Sequence, residues 1–261
     1  AQLMDTRNIH PPDPVAASYQ QYFDSGCYDL RYPGPNQATW ARVLADLPAG
    51  GHVIDYGCGS GRYLLRLHGR AGRAAGYDIS PGALDLLRAR AGAAGWHDLA
   101  ILGPDPGDLD RHLAEFGPAD LVLCLFGVLG HIETAAARQQ ALARMRGALK
   151  PGTGRLLLSV PNRRRRFGRE QSRAGTAAGG LVRYTRRLGA HSVTLPYQLY
   201  DPARLKQELA AAGFGHVTLH PESVLPESWL LNHAGLCRLD GMLTPLCPAG
   251  LGYGILAVAA P

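Results

Sequence analysis

From about residue 52 onward, short apolar runs alternate with segments whose apolar residues recur at helical spacing, the pattern of parallel strands joined by crossover helices. Residues 52–55 read as a first strand, followed directly by the glycine-rich turn Gly57-Cys58-Gly59-Ser60-Gly61, after which Leu64, Leu65 and Leu67 begin a helix. A second strand spans 74–78. Ser80-Pro81 then supplies a cap and a proline at the first helical position for a helix over 83–94. Strands three and four fall at 98–102 and 120–126. The helix over 134–149 is stopped by Lys150-Pro151-Gly152, and a fifth strand follows at 155–160. Residues 161–190 read as irregular. Asp201-Pro202 opens a helix to Ala212, a strand follows at 216–220, and residues 252–259 close the chain as a final strand.

The pattern predicts an α/β fold of parallel strands joined by crossover helices, its sheet in two halves around one core, in one domain. Residues 1–45 form an N-terminal cap, 46–160 the half that carries the glycine turn, 161–190 a basic variable loop, and 191–261 a C-terminal half. Within that half, 221–250 is an insertion too long for a plain hairpin, and such segments commonly cover a ligand site.

Charge changes this picture at one place. The chain has 27 basic against 21 acidic residues, a net of +6, and all but Lys150 and Lys206 of the basic residues are arginine. Residues 163–187 alone hold nine arginines and one acid, so the remainder, with 18 basic and 20 acidic residues, sums to −2. The excess is one segment and not a global polyanion-binding surface. Cys27, Cys58, Cys124, Cys237 and Cys247 are odd in number and lack a C-x-x-C pair, which speaks for reduced thiols and against a disulfide framework or a metal site. No run approaches the roughly 20 apolar residues of a membrane span. The expectation is a cytoplasmic protein.

The strongest chemical signal is Val53-Ile54-Asp55-Tyr56-Gly57-Cys58-Gly59-Ser60-Gly61. Its glycines allow a tight turn and close backbone approach to a ligand. A dinucleotide fingerprint would need glycine where Arg62 stands, and an acid two residues before the first glycine suits an ammonium or sulfonium group rather than a pyrophosphate. With Asp55, Gly57, Gly59 and Gly61 matching an acidic residue, a spacer and G-x-G-x-G, the sequence resembles the class I, Rossmann-like S-adenosylmethionine-dependent methyltransferases over most of residues 50–220. The resemblance implies a seven-stranded mixed sheet with helices on both faces, S-adenosylmethionine as cofactor and S-adenosylhomocysteine as product. It places Asp55, Gly57, Cys58, Gly59 and Gly61 around the cofactor and gives Asp78 and Ile79 the ribose end. Asp105 takes the adenine side, with Asp108 as its alternative, and Leu125 and Phe126 lie beside the methionine moiety. Leu149-Lys150-Pro151-Gly152 matches the turn before strand five, and 200–214 the helix before strand six.

For the acceptor, His131 sits just beyond strand four, where this family often keeps a histidine. It is either a base near the acceptor or a ring that orients the loop. In the N-terminal segment Tyr22 and Tyr28 are assigned to the pocket and Arg31 to an acceptor carboxylate. Tyr197 and Tyr200 are placed on the substrate side. Arg163–Arg166 are open to two readings, a phosphate clamp or a solvated loop. Glu222, Glu227 and His233 are open to two readings, reaching the acceptor or capping helices in an oligomer contact, of which capping is favoured. The favoured acceptor is a small molecule methylated on oxygen or nitrogen, because two caps imply an enclosed pocket. The alternatives are a tRNA methyltransferase, since the N-terminal run is loosely similar to the wobble-uridine enzymes, and a non-catalytic cofactor-binding scaffold.

Overall fold

The computed structural model describes residues 32, 34–175, 179–188 and 191–261. Strands β1 (His52–Tyr56), β2 (Arg73–Tyr77), β3 (Ala100–Leu102), β4 (Leu121–Cys124) and β5 (Arg155–Pro161) are parallel. β6 (Leu181–Leu188) and β7 (His191–Gln198) form a separate antiparallel hairpin. β8 (His216–Pro221) and β9 (Gly254–Ala260) complete the main sheet, whose order is β3-β2-β1-β4-β5-β9-β8. β9 is antiparallel to both neighbours, so β8 runs in the direction of β5. The expected seven-stranded mixed sheet is observed.

Both faces of the sheet are covered, and side-chain alternation divides the core in two. Ile54, Val122, Cys124, Leu156 and Leu158 point to one face, against α3 (Gly107–Phe116), α4 (Ala135–Gly147) and α6 (Pro202–Ala211). Val53, Leu121, Leu123 and Leu157 point to the other, against α1 (Gln37–Asp46) and α2 (Pro81–Ala93). The helix starts obey local rules. Asn36, Ser80, Thr134 and Asp201 each accept a backbone N–H of the first turn, and Pro81 and Pro202 stand at the start of their helices.

Two expectations are corrected. The segment begun by Leu64 is only a four-residue 3-10 helix, Leu64–Leu67, because Gly69 (φ 74°) and Gly72 turn the chain straight back into β2. Residues 161–190 are not irregular throughout, since they contain α5 (Gly168–Ala174) and β6. In β6, Val182 and Tyr184 are buried while Arg183, Thr185 and Arg187 are exposed. Arginines on the outward positions conceal a period of two that a hydrophobic reading depends on. The insertion before β9 folds as α7 (Glu227–Leu230), α8 (Ala234–Leu243) and two 3-10 turns. It is held by Asp240, which accepts the amides of Val224 and Leu225 and the hydroxyl of Thr244. Among the described residues no helix is long and apolar enough to cross a membrane, and no group of three or more His, Cys, Asp or Glu is placed to hold a metal ion.

Candidate active site

Strand order reverses between β1 and β4, and ligands of open α/β sheets bind outside the strands' carboxyl ends at such a point. A cavity of about 390 Å³ opens there. Gly57, Gly59, Asp78, Ile79 and Leu125 line one end of it. Gly57 lies at φ 82°, and a Cβ on it would stand 2.5 Å from Cγ1 of Val128, so only glycine fits this bend. Asp78, directly after β2, ties the two loops together. Its Oδ2 accepts the Gly59 amide (2.8 Å) and its Oδ1 the Ser80 amide (2.9 Å). Burial pushes the Asp78 carboxyl up against the opposing pull of these amides. Asp55 is buried too, and burial together with the nearby Asp78 pushes its carboxyl up to about 7.

The other end of the cavity is aromatic and charged. Phe126 holds φ 63°, a left-handed conformation that a residue with Cβ adopts only under constraint, and its amide donates to Ser159 Oγ at 2.7 Å. Its ring meets that of Tyr32 edge-on at 4.5 Å. His131 Nδ1 lies 3.1 Å from the carbonyl oxygen of Pro196. A carbonyl only accepts, so Nδ1 carries a proton, and in the neutral form of the ring the lone pair is on Nε2. The imidazole stacks on Tyr197 with centroids 4.2 Å apart, and the Tyr197 hydroxyl occupies the space left by the missing side chain of Gly127.

β8 runs with β5, so the segment after Pro221 emerges on this same edge, where Glu222, Glu227 and Tyr253 close the cavity. Glu222 Oε1 accepts the Thr39 hydroxyl at 3.1 Å, and burial with the neighbouring Glu227 pushes its carboxyl up to about 7. Glu227 pairs with Arg62 Nη2 at 2.5 Å.

Of the site residues expected from the sequence, the structure brings Gly57, Gly59, Asp78, Ile79, Leu125, Phe126, His131 and Tyr197 onto one cavity. Asp55, Cys58 and Gly61 lie just outside its lining. Cys58 is buried, with Sγ against Gly76, and burial pushes its thiol up. Asp105 faces solvent, accepting the Gly107 amide and pairing with Arg111, whereas Asp108 accepts the Gly103 amide. Tyr200, placed on the substrate side from the sequence, does not line this cavity. It is fully buried and its hydroxyl donates to Glu208 Oε2 at 2.9 Å, beside the ion pair of Glu208 with buried Arg138. Tyr22, Tyr28 and Arg31 lie outside the described residues. Glu222 and Glu227 face the cavity, in line with the less favoured of their two readings and not with capping, and His233 precedes α8 without a side-chain capping bond. The signal for Glu222 was position, an acid directly after a strand that ends on the site edge.

A family model described as a methyltransferase domain matches residues 28–219. The chain belongs to the class I S-adenosylmethionine-dependent methyltransferases. A comparison with curated proteins returns no match. Among solved structures, the CcbJ methyltransferase from Streptomyces caelestis is similar with a TM-score of 0.64 and 16% identity, over 96% of this chain and 99% of its own. DhpI, solved in a complex with SAM and HEP, gives 0.61 at 20% identity, over 98% and 100%. CalS10, an amino pentose methyltransferase from Micromonospora echinaspora solved with SAM bound, gives 0.54 at 19%, over 98% and 99%. At these identities the likeness is one of fold. For this methyltransferase the residues present fit the cofactor. Two carboxyls pushed up by burial, Asp55 and Asp78, lack an ion-pair partner among the described residues, and a cationic ligand relieves that cost.

Proposed function

We propose that this methyltransferase transfers the methyl group of S-adenosylmethionine to an oxygen or nitrogen atom of a small molecule enclosed between the glycine turn and the His131–Tyr197 stack. The observation that carries the reading is the continuity of one cavity from Gly57, Gly59 and Asp78 to His131, Tyr197 and Glu222, under a cover made by Tyr32, Glu227 and Tyr253. When bound, the cofactor supplies an electrophilic methyl group on a sulfonium. The chain's part is to hold both reactants, align them and keep water out, a contribution of up to roughly 7–11 kcal/mol in favourable cases. Asp78 would hold the ribose hydroxyls, and Ile79, Leu125 and Phe126 would supply apolar walls. His131, with Nδ1 committed to Pro196, presents Nε2 as the acceptor of the proton lost by a hydroxyl as it attacks or by an ammonium before its amine can attack. Across the whole reaction one methyl moves, one proton leaves the acceptor and S-adenosylhomocysteine is released.

CalS10, a structural neighbour, is named an amino pentose methyltransferase, and an amino pentose is a small-molecule acceptor of that kind. The arginine run lends little to an RNA acceptor. Arg163 bonds Gln171, and Arg165 donates to the carbonyls of Leu251 and Val224, so both fasten the fold. Incubation with methyl-labelled S-adenosylmethionine and separated metabolite and RNA fractions tests the reading. Label in a low-molecular-weight product is expected, and label confined to RNA would overturn it.

A further inference from the structure

The turn after β5 delivers Arg166 into the acceptor end of the cavity. Its guanidinium carbon lies 4.9 Å from the Tyr253 ring centroid, 5.2 Å from that of Phe167 and 5.8 Å from that of Tyr197. Aromatic faces stabilise a guanidinium only in part, and a half-buried charge ordinarily has a counter-ion. Among the described residues Arg166 has none. The four carboxylates that line the same cavity are committed elsewhere. Asp78 holds two loop amides, Glu133 pairs with Arg183, and Glu227 pairs with Arg62. Glu222 bonds Thr39, and although its charge reaches Arg166 no ion pair joins the two.

Building on the small-molecule reading above, we infer that Arg166 is an acceptor-binding residue that pairs with an oxyanion of the methyl acceptor, a carboxylate or a phosphoryl or phosphonate group. The acceptor is therefore an acidic small molecule. A guanidinium presents a planar fork of donors to such a group, and the flanking rings keep that fork oriented and shielded from water. The same geometry separates Arg166 from its neighbours in the run, since Arg163 and Arg165 spend their donors on the chain itself.

Two measurements test this. Calorimetric titration of the S-adenosylhomocysteine-loaded protein with inorganic phosphate, methylphosphonate and acetate is expected to give saturable binding of at least one of them. Arg166→Gln should weaken that binding at least tenfold and Arg166→Lys should weaken it less, while the affinity for S-adenosylhomocysteine and the melting temperature stay unchanged. No binding by any of the three anions, or equal binding by Arg166→Gln, overturns the inference, and which anion binds separates carboxylate from phosphorus oxyanion. In the labelling assay, the labelled metabolite is expected in the fraction retained by an anion-exchange resin at neutral pH. For it, Arg166→Gln should raise KM at least tenfold and change kcat little. A labelled neutral or cationic metabolite overturns the oxyanion inference and leaves the small-molecule reading standing, whereas label only in RNA overturns that reading itself.

Discussion

The imidazole of His131 stacks on the phenol ring of Tyr197 at 4.2 Å and 19°, while its Nδ1 donates to the carbonyl of the adjacent Pro196. One strand, β7, therefore sets both the tilt and the tautomer of the ring. With Nδ1 held, His131→Gln should lower kcat by about 10²–10⁴-fold, the range of a positioned proton acceptor, and leave cofactor affinity intact. Tyr197→Phe keeps the stack and should cost less than tenfold. Single-turnover kinetics with the identified acceptor distinguish the two, and an unchanged kcat in His131→Gln would assign that ring to loop orientation only.

Asp78 joins the glycine turn to the end of β2 through the amides of Gly59 and Ser80. Asp78→Ala removes the carboxylate proposed for the ribose hydroxyls, and a hydrogen bond to a charged group contributes about 1.5–3 kcal/mol. Affinity for S-adenosylmethionine in calorimetry should fall roughly 10- to 150-fold by that figure. Affinity equal to wild type would sink the assignment of this carboxylate.

Tyr200 belongs to the buried network of Arg138, Arg204 and Glu208 and does not line the cavity. Tyr200→Phe should lower unfolding free energy by about 2 kcal/mol, the value of a hydrogen bond to a carboxylate, with KM for either substrate unaltered. Chemical denaturation and steady-state kinetics together check this, and a raised acceptor KM would return Tyr200 to the site.

Asp55 and Glu222 are both pushed up to about 7 by burial. Between the ordinary carboxylate range and pH 7 the folded chain keeps protons that the unfolded chain has released, so each group removes stability as pH rises through that window and none further above it. His52, lowered to about 4 by burial and His112, acts in the opposite sense. The informative quantity is thus a difference. Asp55→Asn and Glu222→Gln should gain on wild type as pH rises from 5 to 7.5, by up to about 3 kcal/mol each for shifts of this size. Melting curves at half-unit intervals read this out, and a variant advantage that does not change with pH would contradict it.

Much of the cofactor end was legible in the sequence because it is local. Asp55, the three glycines and Asp78 sit at strand ends whose chemistry is written in consecutive residues, and the caps Ser80 and Asp201 mark their helices. The acceptor end was legible only in part. His131 and Tyr197 were singled out separately, yet 66 residues apart nothing in the sequence announces that their rings stack. Glu222 read more readily as a cap than as a cavity residue because its partner Thr39 lies 183 residues away. Arg166 looked like its neighbours Arg163 and Arg165, and only the turn after β5 sends one inward and leaves the others on backbone carbonyls and Gln171.

The sequence by itself determined the α/β architecture and the glycine turn, since strand periodicity, capping residues and left-handed glycines act within a few residues of one another. Only the tertiary structure decided what the chain holds against that turn. The direction of β8 puts Glu222 and Glu227 on the site edge, and the β6–β7 hairpin lowers Tyr197 onto His131. Burial then raises the Asp55 and Glu222 carboxyls and leaves Arg166 charged among aromatic rings. These are consequences of desolvation and long-range packing, which depend on residues far apart in the chain and brought together by the sheet.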